Sequence, residues 1–406
     1  MLESCISFSQ FNSKEYLESI TKADSLFNAR DYRNAAIAFS SALNIPGAKP
    51  IIGERYNAAS SWALANYPDS SFFQLSIIAN SGKVNLNDYQ NIITDENFTS
   101  LHSDNRWQLF LEKVYKIAEN TFLKPQDSTY TQEEKIYGRK DGMAMTLVHL
   151  KPRSNSNGKA IIQIISGTWR SSIIYWDPTI SLSYLRKGYS VFVVVHGSAP
   201  VYSIADAAAD IQRAVRFIRY NARIYEIDSN KIGVTGISAG GHLALLCGLL
   251  DTPINENTGD PVDRVSGKVQ AVACYYPPTD FLNWGIEGRN VTNTDVFKSR
   301  GHIFEFRQWN SKKREFSYII DTILQNKILK DISPLYNVSA NDAPVLIIHG
   351  DKDQIVPIQQ SESLVKKLKE LKVPAVLIVK KGGRHGWSLD PAYEKMLIDW
   401  FDKYLQ

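Results

Sequence analysis

The sequence predicts an α/β protein: a doubly wound, mostly parallel sheet preceded by an all-helical region. Three observations predict it. Residues 13 to about 120 carry their apolar positions at helical spacing. After Leu123-Lys124-Pro125 the pattern changes to short apolar, β-branched runs separated by helical stretches. One of those runs leads directly into Gly236-Ile237-Ser238-Ala239-Gly240 and then a helix, and doubly wound sheets place their chemistry where strands end.

Composition bounds the rest. Of the 406 residues 22% are charged, close to the roughly 25% of an ordinary soluble domain, which excludes a disordered chain. Lys and Arg number 46 against 42 Asp and Glu, a net +4. Over this length that is nearly neutral and excludes a broad nucleic-acid surface. The three cysteines, Cys5, Cys247 and Cys274, form no CxxC and no Cys/His cluster. A disulfide scaffold and a zinc module are therefore excluded, and neither metal nor cofactor is expected. Cys247 and Cys274 fall in a core helix and a core strand and read as small buried hydrophobes. No apolar run approaches the roughly 18 residues of a membrane helix, so no transmembrane segment is expected. The opening MLESCISFSQ is short for a signal peptide and carries Glu3, yet Cys5 to Gln10 resembles the tail of one. Residues 1–12 read either as a disordered N-terminus, with a cytoplasmic chain, or as the remnant of a signal peptide, with a periplasmic or secreted one.

The helical region is expected over 13–122. Ser13 and Asp31 stand as N-caps. Ala35, Phe39 and Ala42 recur at i, i+4 and i+7 on one face, followed by a helical pair, Ile51 to Asn66 and Ser70 to Asn80, split by Tyr67-Pro68-Asp69. The spacing Ala35-x3-Phe39-x2-Ala42 resembles the second helix of a tetratricopeptide repeat, whose small residues let helices approach closely. Leu101 to Trp107, leading into a last helix to about Asn120, resembles the end of such arrays. That resemblance implies a surface for a protein partner; a helical bundle with a purely structural role is the alternative.

The second region is expected over 123–406. Its strands are Met143 to Leu150, Ala160 to Ser166, Ser190 to His196, Lys231 to Thr235, Val269 to Tyr275, Val345 to His349 and Ala375 to Lys380. Most are continuous apolar runs, as in strands buried on both faces of a parallel sheet. Helices are expected at about 204–224, 239–250, 358–371 and 391–405.

The strand Lys231 to Thr235 followed by Gly236-Ile237-Ser238-Ala239-Gly240-Gly241-His242 is G-x-S-x-G in strand–turn–helix context. Such a turn presents a serine hydroxyl at the sheet edge, with glycines where side chains would strike the neighbouring strand and helix. A serine hydroxyl is a weak nucleophile and needs a base oriented by an acid, in the chain order Ser, Asp/Glu, His. Asp353 follows the strand Val345 to His349, in Asp353-Gln354-Ile355-Val356-Pro357, and is the expected acid. His385 follows the last strand, in Gly383-Arg384-His385-Gly386-Trp387, and is the expected base. The rivals read otherwise. His242 lies on the helix leaving the turn and His349 inside a strand end, both as structural residues; Asp351 holds the acid loop; Asp280 caps a turn after an earlier strand. The oxyanion donors are expected to be the amide of Ala239 and one from the Ser166-Gly167-Thr168-Trp169-Arg170 loop, Gly167 or Thr168.

With Gly236 to Gly241, the acid loop His349 to Pro357, the His385 loop, and Asp210 to Arg219 preceding Asn221-Ala222, residues 130 to 406 resemble the α/β-hydrolase superfamily. The nearest branch is that of esterases and lipases, with its feruloyl and acetyl-xylan esterases. The resemblance implies a carboxylesterase acting on a small-molecule ester, with carbohydrate-linked acyl groups among the substrates. Relatives carry His-Gly-Gly-Gly-Trp where this chain has Ile165-Ser166-Gly167-Thr168-Trp169, and Thr168 narrows the conformations open to that loop. Oligopeptidases share the catalytic set but add a β-propeller, and no propeller repeat is visible. A helical-repeat scaffold with a secondary hydrolase domain is the reading of a different kind. Trp169 and Trp387, beside the expected oxyanion and base loops, are the substrate-binding candidates, with core packing as the equal alternative for each. The insertion at about 282–330, rich in Trp284, Phe297, Phe304, Phe306, Trp309, Phe316 and Tyr318, reads as a lid or as a helical cap with its own small core.

Overall fold

A computed structural model describes residues 13–48, 50–82, 84, 86–123, 128–250, 254, 256–298, 303–304, 306–310, 312–386 and 390–406. The chain divides into two compact units between residues 126 and 127. The N-terminal residues 1–12 and Trp387 lie outside the described residues.

The first unit is helical. Its elements are α1 (Lys14–Asn28), α2 (Tyr32–Leu43), α3 (Ile52–Leu64), α4 (Pro68–Asn80), α5 (Leu86–Thr94) and α6 (Asn105–Leu123). Ser13 caps α1 by accepting the Tyr16 N–H, and Asp31 caps α2 by accepting that of Asn34. Pro68 opens α4 at the first helical position, where its missing N–H costs nothing. Ala35, Phe39 and Ala42 are fully buried, so the face read from their spacing is the packed one. Helices α1 to α4 each pack on the next, and α6 packs on α4 and α5.

The second unit is built on an eight-stranded sheet. Its elements begin with β1 (Tyr130–Lys140), β2 (Met143–Pro152), β3 (Ala160–Ile164), α7 (Pro178–Arg186), β4 (Ser190–Val194), α8 (Ile204–Tyr220) and α9 (Ala222–Tyr225). They continue with β5 (Ile232–Ile237), α10 (Ala239–Leu249), β6 (Ala271–Tyr275), α11 (Asp295–Lys298), β7 (Arg307–Asn310), β8 (Glu315–Tyr318) and α12 (Thr322–Asp331). The last are β9 (Val345–Gly350), α13 (Gln359–Glu370), β10 (Ala375–Lys380) and α14 (Pro391–Tyr404). The strand order is β1-β2-β4-β3-β5-β6-β9-β10. The β1/β2 and β2/β4 pairs are antiparallel, and every other pair in this sheet is parallel.

Strands β3, β4, β6 and β9 are buried along their whole length, which is why they read as unbroken apolar runs. Strand β1 escaped that reading. It is an edge strand whose Gln132, Glu133, Glu134 and Lys135 give it no apolar run, while Tyr130 and Tyr137 are buried. In place of a purely helical cap the insertion holds the antiparallel hairpin β7–β8 along with α11 and α12. Its aromatics divide: Trp284 and Phe297 are buried, Phe316 and Tyr318 exposed.

Candidate active site

Strand β5 ends against α10 with almost no room. A Cβ on Gly236 would lie 2.4 Å from the Gly240 carbonyl, and one on Gly240 would lie 2.7 Å from the Ile164 carbonyl oxygen of the adjacent β3. Only glycine fits both positions. Between them Ser238 takes φ 54° and ψ −117°, a strained geometry for a residue with a side chain. Its own N–H donates to the Tyr275 carbonyl at 3.0 Å, and its carbonyl accepts the His242 N–H at 2.9 Å, so the turn is held from both sides.

The ends of β5, β9 and β10 bring three sequence-predicted residues together. Ser238 Oγ lies 2.9 Å from His385 Nε2, and His385 Nδ1 lies 2.7 Å from Asp353 Oδ2. The other carboxylate oxygen accepts the N–H groups of Ile355 and Val356, each at 2.9 Å. That is the local meaning of the D-x-x-V spacing: the turn grips the carboxylate through backbone donors. Burial alone would raise the Asp353 carboxyl. Hydrogen bonds from His349 and His385, the His385 charge and the Val356 amide outweigh it and hold the group well below the usual carboxylate range.

The rivals have other partners. Asp351 accepts the Gly382 N–H at 2.7 Å and is exposed. Asp280 accepts from the Leu282 and Asn283 backbone, the Asn283 amide and the Tyr336 hydroxyl. His242 is fully buried, with Nδ1 3.0 Å from Trp169 Nε1 and Nε2 2.8 Å from the Ile332 carbonyl. Burial pushes its pKa down to about 4, with the Ile332 hydrogen bond acting the other way.

The loop after β3 is tied to the loop after β4. Ser171 Oγ donates to the Ile165 carbonyl at 2.5 Å and accepts the His196 N–H at 3.1 Å, while the Ser171 N–H reaches Ser198 Oγ at 2.8 Å. Within the loop Gly167 and Arg170 exchange both backbone hydrogen bonds, at 2.9 and 3.0 Å. The Gly167 N–H thus meets the Arg170 carbonyl within the loop. Ala239 opens α10, in the first turn, where N–H groups have no carbonyl within the helix to meet. Trp169 is only 2% exposed and packs on His242, Phe281, Phe297 and Phe304. Trp169, a substrate-binding candidate from its place beside the loop, thus has its ring packed among aromatic side chains.

Two neighbours of the site carried no usable sequence signal. His349 sits behind Asp353, Nε2 3.4 Å from Oδ2, with Nε2 also 2.8 Å from the Val356 carbonyl and Nδ1 2.7 Å from Ser361 Oγ. Tyr276, buried at φ 35°, sets its ring edge-on to His385 at 4.6 Å between centroids. Among the described residues no group of three or more His, Cys, Asp or Glu side chains is arranged to hold a metal ion. Nor, among them, is any helix long and apolar enough to cross a membrane.

Comparison with known proteins places this geometry. The chain is 24% identical over 268 residues to the esterase LipC of Mycobacterium tuberculosis, covering 63% of this chain and 59% of that protein. It is 25% identical over 266 residues to a probable isoprenylcysteine alpha-carbonyl methylesterase, ICMEL1, of Arabidopsis thaliana, covering 64% of this chain and 51% of that one. The chain thus spans little more than half the length of these curated relatives. Among solved structures, a truncated carbohydrate esterase from gut microbiota aligns with a TM-score of 0.56 at 25% identity. That alignment covers 69% of this chain and 99% of the other. The fold is that of an α/β-hydrolase, a mostly parallel sheet with flanking helices. The BD-FAE family matches residues 147–368, more than half of the chain, and the protein belongs to that family.

Proposed function

We propose that the protein is a serine hydrolase that cleaves carboxylic esters without a cofactor, its catalytic domain spanning 123–406. The observation that carries the reading is the continuous contact from Ser238 Oγ through His385 to Asp353, at 2.9 and 2.7 Å. Its family and its esterase relatives support it. Asp353 accepts the Nδ1–H of His385, so the Nε2 lone pair faces Ser238. Ser238 Oγ attacks the acyl carbon and its proton passes to His385 Nε2. The tetrahedral oxyanion accepts from the Ala239 amide and from one of the loop, Gly167 or Thr168. Collapse breaks the ester C–O bond, and His385 returns the proton to the departing alkoxide. Water, deprotonated by the same nitrogen, then attacks the acyl-enzyme, and Ser238 leaves with the proton as the acid is released.

The carbohydrate esterase among the structural relatives favours a carbohydrate-linked acyl group as substrate. We read the helical unit over 13–122 as tetratricopeptide-like, on the buried Ala35, Phe39 and Ala42 face and its successively packed helices. Turnover of a short p-nitrophenyl ester tests the central assignment. Ser238→Ala abolishes it; undiminished turnover in that variant rejects the serine as nucleophile.

A further inference from the structure

The loop proposed to bind the oxyanion carries two consecutive non-glycine residues in the left-handed region, Thr168 at φ 52° and Trp169 at φ 54°. A residue with a Cβ stays there only when its surroundings over-determine it, and a β-branched threonine least willingly. The restraint is visible in Trp169. Its backbone carbonyl accepts the Ala199 N–H at 3.0 Å, and its indole Nε1–H donates to His242 Nδ1 at 3.0 Å. The ring is enclosed by His242, Phe281 and Phe304, with centroids 5.3, 5.5 and 5.7 Å away.

His242 is the other end of that restraint. It lies on α10 one turn past Ser238, and its Nε2 is 2.8 Å from the Ile332 carbonyl at the C-terminal end of α12. A carbonyl only accepts, so Nε2 carries the hydrogen and Nδ1 presents the lone pair that receives the indole N–H. One neutral imidazole, with both nitrogens satisfied, joins the loop after β3, the helix that carries Ser238 and the end of the insertion. Ala239, the other oxyanion donor, starts that same helix.

We infer that Trp169 and His242 are positioning residues for the oxyanion hole: their buried hydrogen bond sets the loop that carries Gly167 and Thr168 against the helix that begins at Ala239. The inference rests on the esterase reading above. It separates from simple core packing because packing depends on volume, whereas positioning depends on one N–H and one lone pair.

Steady-state hydrolysis of a p-nitrophenyl ester by the full chain tests it, with rates referred to sites titrated by a fluorophosphonate. Trp169→Phe keeps an aromatic ring but loses the donor together with the indole's five-membered ring, so the His242 pair separates hydrogen bonding from volume: His242→Gln keeps a donor toward Ile332 and loses the acceptor toward Trp169. Each lowers kcat per active site by roughly 10- to 100-fold with KM within about twofold, the pattern of a contact made in the transition state. His242→Asn, which places an acceptor where Nδ1 stood, recovers most of what glutamine loses. The double variant Trp169→Phe/His242→Gln falls no lower than the worse single one. Phe281→Leu loosens the same packing without touching the hydrogen bond and leaves kcat per site within about twofold. Unchanged kcat in Trp169→Phe, additive losses in the double variant, asparagine no better than glutamine, or an equal loss in Phe281→Leu each overturn the inference. A wild-type chain that the fluorophosphonate does not label overturns the esterase reading itself, and this inference with it.

Discussion

The Asp353 carboxylate oxygen that lies 2.7 Å from His385 Nδ1 lies also 3.4 Å from His349 Nε2. The carboxylate is thus held between two imidazoles, while its second oxygen rests on two backbone amides. The carboxylate of Asp351, two residues earlier, accepts the Gly382 N–H instead, away from both imidazoles. Asp353→Asn should therefore lower kcat by on the order of 10³–10⁴, through loss of the correct His385 tautomer. Asp351→Asn should cost less than about tenfold. Parallel kcat measurements on the two variants check this; equal losses would move the acid role away from Asp353.

Glycine at 240 is required by contact. A Cβ there would lie 2.7 Å from the Ile164 carbonyl oxygen and push α10 off the sheet. Gly240→Ala should cost about 1–3 kcal/mol of unfolding free energy or more. Gly259→Ala, where a Cβ meets nothing within 4 Å, should change stability by less than about 0.5 kcal/mol. Urea midpoints of the two variants make the comparison.

Stability should fall as pH drops from about 6.5 toward 4. His149 stacks on Phe192 at 4.4 Å, its buried Nε2 without a hydrogen-bond partner among the described residues, and burial, with Lys151 adding to it, pushes its pKa down to about 4. His242 is pushed down to about 4 as well. Both groups bind a proton more readily unfolded than folded. Their contribution is therefore complete above the unfolded value near 6.5 and lost as pH falls through the folded one. His149→Phe should remove about 1–2 kcal/mol of the stability difference between pH 7 and pH 5. Melting temperatures at the two pH values report it, and an unchanged difference would show that His149 is not the titrating group. Asp353 acts in a separate window: its carboxyl is depressed, so its contribution is present above the ordinary carboxylate range and lost only in strong acid.

What the sequence disclosed was whatever a single strand or helix determines alone. Strands β3, β4, β6 and β9 are buried on both faces and announce themselves as apolar runs. Ser238, Asp353 and His385 could be named because each follows a strand in a glycine-rich or turn-forming segment. Strand β1 stayed hidden because an edge strand needs only Tyr130 and Tyr137 buried and fills the rest with polar residues. The hairpin β7–β8 is two four-residue strands, too short for a period to show. His349 and His242 looked alike as buried histidines, and only tertiary contact separates one at the acid from one at the indole. Trp169 adjoins the expected oxyanion loop in sequence, while the rings that pack on it, Phe281 at the start of the insertion and Phe297 and Phe304 within it, lie more than 100 residues away.

We propose Ser238, activated by His385, as the nucleophile. Labelling of the full chain by a fluorophosphonate probe tests that assignment at the residue itself. Wild-type protein should be labelled stoichiometrically at Ser238, with labelling abolished in Ser238→Ala and reduced by several orders of magnitude in His385→Ala. Labelling that persists in Ser238→Ala, or that is unaffected by loss of His385, would contradict it.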